Sequence, residues 1–192
     1  MNPSKEKVLV TGTGRAGTTF IMLLLTELGF DTGEDYKVAK KKVLDARCKA
    51  GFEYSFNAPF YIIKNPQFSI QINKIIAKRI KINHVFIPIR NMEDAAKSRI
   101  KIGGPKKSGG LIGTADPEKQ LDVLQQRFGK LVSDLVLADI PHTFMIFPRF
   151  ITDWKYCYEK LSFLTFKIPP PEFRKAFSKT SMPELVHDFS PQ

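Results

Sequence analysis

Val8-Leu9-Val10-Thr11-Gly12-Thr13-Gly14-Arg15-Ala16-Gly17-Thr18-Thr19 decides how this chain is read. The apolar run at its start reads as a buried strand. Glycines at 12, 14 and 17 break that run, and Phe20-Ile21-Met22-Leu23-Leu24-Leu25 follows as the body of a helix. A strand that enters a helix through such a loop aims backbone N–H groups, and the positive end of the helix dipole, at one point. The stretch therefore predicts an anion, phosphate or sulfate, held at residues 12–19.

Working outward, strands and helices alternate. The first strand is expected at 5–11. A helix at 17–29 places Phe20, Leu23, Leu24 and Leu28 on one face, and Gly29 stops it. Residues 31–57 are polar and basic, with a helical pattern over 38–47. Phe60-Tyr61-Ile62-Ile63 reads as a second strand ending at Lys64-Asn65-Pro66. Isoleucines at 70, 72, 75, 76 and 80 predict a helix over 67–80. His84 to Ile89 reads as a third strand, although Pro88 counts against it. A helix follows at 91–101, then a loop built on Gly103-Gly104-Pro105 and Gly109-Gly110. The longest helix is expected at 117–138, opened by Asp116-Pro117. A fourth strand at 143–147, a helix at 149–164 and a proline-rich tail complete the chain. This alternation predicts a single α/β domain over residues 1–192, with a central, mostly parallel sheet flanked by helices in three layers.

The chain has 192 residues, of which 43% are hydrophobic, enough for a real core. Thirty Lys and Arg face 19 Asp and Glu, a net charge of +11, which favours an anionic partner. Cys48 and Cys157, with His84, His142 and His187, have no metal-ligand spacing, so no metal is expected. The first seven residues lack a signal-peptide layout, and the apolar run at 20–25 is too short to span a bilayer. The expectation is a soluble, cytoplasmic chain with no transmembrane segment.

Three templates compete for the glycine loop. The nucleotide-triphosphatase loop G-x-x-x-x-G-K-[ST] is met by Gly12, Gly17 and Thr19, but Thr18 stands where its lysine belongs. The dinucleotide fingerprint G-x-G-x-x-G is met by Gly12, Gly14 and Gly17, and Tyr156 with Lys160 supplies the Tyr-x-x-x-Lys pair of short-chain dehydrogenases. That fingerprint calls for a second strand about 20 residues on, ending in an acid. Gly29-Phe30-Asp31-Thr32-Gly33-Glu34-Asp35 reads as turn instead, and residues 140–148 hold no serine to complete the Tyr-Lys pair.

The third template is met by Gly14-Arg15-Ala16-Gly17-Thr18-Thr19. It resembles the 5′-phosphosulfate loop, R-S-G-T-T, of sulfotransferases that use 3′-phosphoadenosine 5′-phosphosulfate (PAPS), with Ala16 in place of the serine. Two further matches support the resemblance. Arg90 at a strand end and Ser98 eight positions later look like the pair that binds the 3′-phosphate in this family. Ile63-Lys64-Asn65-Pro66 is similar to the Lys-x-Pro strand end of tyrosylprotein sulfotransferases, whose lysine approaches the oxygen bridging phosphate and sulfate. The resemblance spans most of residues 7–164. The C-terminal Arg-Lys-Gly-x-x-Gly motif of the cytosolic steroid and phenol enzymes is absent.

The resemblance implies in-line transfer of a sulfuryl group from PAPS to a hydroxyl or amine acceptor, leaving 3′-phosphoadenosine 5′-phosphate (PAP). Gly14, Arg15, Ala16, Gly17, Thr18 and Thr19 would hold the 5′-phosphosulfate, Arg90 and Ser98 the 3′-phosphate. Arg15 and Lys64 would stabilise charge on the leaving group. Gly33-Glu34-Asp35 resembles the Gly-Glu-Glu segment that supplies a catalytic carboxylate, so Glu34 or Asp35 is the expected base; capping of a following helix is the competing role for the same residues. The loop at 102–115, with Lys101, Lys106 and Lys107, is placed to close over the cofactor or an acidic acceptor. A non-catalytic anion-binding protein is the rival class. Lys40-Lys41-Lys42 and Lys78-Arg79-Lys81 lack interleaved aromatics and read as solvated faces, so no nucleic-acid partner is expected.

Overall fold

The computed structural model describes residues 6–45, 51–105, 107 and 109–182. Four strands, β1 (Glu6–Val10), β2 (Ile62–Lys64), β3 (Lys81–Ile89) and β4 (His142–Ile146), form one parallel sheet in the order β2-β1-β3-β4. Val8 pairs with Ile62 on one side and with His84 on the other. The chain thus leaves β1 toward one neighbour first and reaches the opposite neighbour later. The crevice that this reversal opens at the carboxyl ends of the strands is where α/β ligands bind.

The strand alternation sorts the core into two layers. Val8, Val10, Ile62, Phe86 and Met145 point to one face, where α1 (Thr18–Glu27), α2 (Tyr36–Asp45) and the C-terminal helices pack. Leu9, Ile63, Val85 and Ile87 point to the other, against α3 (Ile72–Ala77) and α5 (Gln120–Leu137). Helix α4 (Met92–Ile102) packs on α5 through Ala95, Ala96 and Leu124. The α/β class and the covered parallel sheet are as expected. Helix α1 is buried from Phe20 to Thr26, because α2 and α9 (Pro170–Thr180) enclose it against the sheet.

Three local expectations are corrected. Residues 67–80 form a 3₁₀ turn, Pro66–Ile70, before α3; Asn65 caps the turn by accepting from the Gln67 N–H at 2.9 Å. The helix expected at 149–164 is three short ones, α6 (Arg149–Thr152), α7 (Trp154–Lys160) and α8 (Ser162–Thr165). Asp153 makes the first break: its backbone is extended, and its carboxylate accepts from the Tyr156 N–H at 3.1 Å. The proline-rich tail contains α9, whose first turn tolerates Pro170 and Pro171 because the N–H groups there need no helical acceptor. Pro88 does sit inside β3, where it pairs with Met145. The last β1–β3 pair is Val10 with Phe86, so β1 has already left the sheet on the side where an N–H at residue 88 would seek an acceptor. No helix among the described residues is long and apolar enough to cross a membrane.

Candidate functional site

A cleft of about 310 Å³ opens at the carboxyl ends of β1, β2 and β3. The glycine loop forms its floor. Gly17 caps α1 with φ 76°, and a Cβ there would meet Phe150 at 2.8 Å and Phe147 and Ile151 at 3.0 Å. Gly14 has φ 74°, and a Cβ there would collide with the Arg99 guanidinium. Arg15 itself is left-handed at φ 58°, a conformation that costs a side-chain-bearing residue about 1–2 kcal/mol. The helix's hydrogen bonding begins with the Phe20 N–H on the Gly17 carbonyl at 3.1 Å, so the N–H groups of its first residues are those a helix leaves for a ligand. Gly14, Arg15, Gly17, Thr18 and Thr19 all line the cleft. Ala16 is fully buried and is not among the lining residues.

The cleft's charge is strongly one-sided. Among the described lining residues, Arg15, Lys64, Arg90, Arg99 and Lys107 face a single carboxylate, Glu53. Lys64 ends β2 and is 2% exposed; its Nζ donates to the Gly51 carbonyl at 2.8 Å and to Glu53 Oε1 at 2.5 Å. Arg90 follows β3 directly. It donates to the Arg15 carbonyl at 3.4 Å and lies 5.0 Å above the Phe147 ring. Ser98, buried on α4, accepts from Arg15 Nε at 3.1 Å. The loop cation, the strand-end arginine and the helix serine thus meet in one cluster. Part of the lining is apolar, made by Phe20 and Leu23 of α1 with Phe147 and Ile151.

Two expected residues lie elsewhere. Asp35 caps α2, with Oδ1 accepting from Lys37 N at 2.9 Å and Val38 N at 3.3 Å. Glu34 holds Lys42 Nζ at 3.0 Å through both oxygens; burial, with Glu34 adding to it, pushes the nearby Tyr54 phenol up to about 12. Neither carboxylate lines the cleft. Glu53 takes that position because it forms an isolated parallel bridge with Lys64, eleven residues on. Nothing in the sequence around Glu53 marks it, since the bridge exists only when 51–54 lies against the end of β2. Arg99, one residue past Ser98, was also without a sequence signal. Of the basic loop, Pro105, Lys107 and 109–112 line the cleft, while Lys106 lies outside the described residues.

Tyr156 and Lys160 do not form a dehydrogenase-like site. The Tyr156 hydroxyl accepts from the Ile146 N–H at 2.9 Å, and Arg149 and Lys160 stack over its ring. The ring is buried beside β4, away from the residues that line the cleft.

Comparison of the chain with protein-family models, with curated proteins and with solved structures finds no match in any of the three.

Proposed function

We propose that this chain is a sulfotransferase that moves a sulfuryl group from PAPS to a hydroxyl or amine acceptor. The observation that carries the reading is the meeting of the glycine loop, Lys64 and Arg90 at one cationic cleft, with Ser98 buried behind it on Arg15, although the four lie far apart in the sequence. The donor set suits a phosphosulfate: bare backbone at Gly14 and Gly17, two threonine hydroxyls, and guanidinium groups that bind phosphate oxygens in pairs.

When bound, PAPS supplies a sulfuryl group whose transfer forms a sulfur–oxygen or sulfur–nitrogen bond to the acceptor and breaks the bond to the bridging oxygen, which keeps the electron pair. Gly14, Gly17, Thr18 and Thr19 would hold the 5′ end, and Arg90 with Ser98 would hold the 3′-phosphate. Lys64, nearly dehydrated, stabilises the negative charge that develops on the leaving phosphate more strongly than a solvated ammonium would. Glu53 holds Lys64 in place and takes the acceptor's proton. Its side chain is 39% exposed, which leaves a path for that proton to solvent. The apolar part of the lining packs the acceptor's carbon skeleton and excludes water from the transfer.

Calorimetric titration with PAP, ADP and NADP, followed by a transfer assay from PAPS to phenols, alcohols and amines, tests this reading. PAP should bind at least about tenfold more tightly than ADP, because charged hydrogen bonds to the 3′-phosphate are worth about 1.5–3 kcal/mol. Preference for NADP would revive the dehydrogenase. Tight PAP binding with no transfer would leave a non-catalytic anion-binding protein.

A further inference from the structure

Arg99 is a buried cation of the cleft to which sulfuryl transfer assigns no task. Its side chain is 4% exposed. Nη2 donates to the Thr13 carbonyl at 2.6 Å and Nη1 to the Gly110 carbonyl at 2.7 Å, while Nε is buried with no hydrogen-bond partner among the described residues. Among the described residues no carboxylate stands within ion-pair distance of it. A buried cation held only by neutral carbonyls keeps its charge uncancelled, an arrangement that costs free energy unless an anion comes near. Burial, with Arg15 and Arg127 nearby, lowers its pKa to about 10, which leaves it protonated at neutral pH.

The two carbonyls belong to different walls. Thr13 is on the glycine loop. Gly110 opens a segment that is also pinned from behind: the Ile112 N–H donates to Gln120 Oε1 at 2.8 Å, and Gln120 Nε2 returns a bond to the Ile112 carbonyl at 3.2 Å. Gln120 is fully buried. Arg99 and Gln120 therefore hold Gly110–Ile112 from both sides, and Gly14 has room for no side chain because the guanidinium fills that space.

We propose that Arg99 is a positioning residue for a multiply charged phosphate or sulfate ester: it ties the glycine loop to the Gly110–Ile112 wall and gives the cleft a fixed positive charge that no described carboxylate pairs with. The proposal rests on the anion-binding half of the proposed function and not on sulfuryl transfer.

The test is calorimetry with inorganic pyrophosphate and with PAP on the wild type, Arg99→Met and Arg99→Lys, at several salt concentrations. Arg99→Met should lose at least about tenfold in affinity for both anions and show a shallower dependence on salt. Arg99→Lys, which keeps the charge but lacks the fork that reaches both carbonyls, should lose less affinity than Arg99→Met and retain the wild-type salt slope. Should Arg99→Met fail to fold, Gln120→Met carries the positioning half: it frees the wall but spares the charge, so affinity should fall while the salt slope stays. Wild-type affinity in Arg99→Met or in Gln120→Met, equal losses in Arg99→Lys and Arg99→Met, or a wild type that does not bind pyrophosphate would each overturn the proposal. A wild type that binds pyrophosphate as expected but shows no preference for PAP over ADP would instead sink the sulfotransferase reading and leave Arg99's role standing.

Discussion

Lys7 and Lys64 are the two most deeply buried lysines described, 1% and 2% exposed, on adjacent strands of the same sheet. They stand at opposite ends of it. Lys7, near the start of β1, donates to the Ala58 carbonyl at 2.7 Å and the Phe60 carbonyl at 2.5 Å, and it is not among the residues that line the cleft. It staples the segment that leads into β2. Lys64, at the carboxyl end of β2, meets a carboxylate and faces the cleft. Burial of a lysine is therefore no sign of function by itself. What separates the two is the sheet end on which each lies, because only the carboxyl end has a crevice for a ligand.

The largest expected effect breaks the pair apart most directly. Lys64→Met should lower kcat for sulfuryl transfer by about 10²–10³-fold, the usual loss for one charge-stabilising donor, with PAP affinity within about threefold. Lys7→Met should leave kcat of the folded protein within about twofold of wild type. Equal kinetic losses in both variants would show that burial alone, and not the sheet end, decides the matter.

The partner of each lysine gives the next test. Glu53→Gln should lower kcat by about 10²-fold and remove the acidic limb of the pH–rate profile. Glu34→Gln, at the carboxylate that instead holds Lys42, should change kcat by about twofold or less. The reverse pattern would return the base to the segment after α1. A smaller change is expected at the cation next to the loop: Arg90→Ala should cut the preference for PAP over ADP by about tenfold, read by calorimetry.

The smallest effect concerns Lys7 alone and reads out in stability. Burial lowers its pKa below the usual 10.5, and Asp31 only partly opposes the shift. Between the lowered folded value and 10.5 the unfolded chain binds more protons than the folded one, so stability rises with pH there. The contribution is complete above 10.5 and is lost as pH falls through the folded value. Thermal unfolding of wild type and Lys7→Met from pH 8 to 11 should show the difference between them shift in favour of wild type as pH rises. A constant difference would mean that Lys7 titrates alike in both states.

The strands and the glycine loop were legible because their signals are local. A β-rich apolar run, a glycine needed at φ 76° and a strand-end arginine are each specified by neighbouring residues. The broken helix at 149–164 was less so. Its apolar spacing continues across Asp153, while the turn there is decided by one side chain's bond to a backbone N–H. Helix α9 was hidden for a related reason: prolines that end a helix elsewhere begin this one, and Phe173 and Phe177 acquire a helical face only by packing on α1. Asp35 shows a local rule prevailing over a resemblance. An acidic residue just before a helix caps it, and that bond turns the carboxylate away from the cleft.

By itself the sequence determined an alternating α/β chain, a glycine loop between strand and helix at residues 12–19 and an excess of positive charge, because strand and helix periods and glycine's freedom at positive φ act between near neighbours. Only the tertiary structure decided which charges meet. It brought Glu53 to Lys64, joined Arg15 to Ser98 and left Arg99 buried between Thr13 and Gly110, contacts that span 11, 83, 86 and 11 residues. Such pairs have no spacing code. They arise when β-strands from distant parts of the chain are laid side by side and their carboxyl ends are drawn to one edge of the sheet.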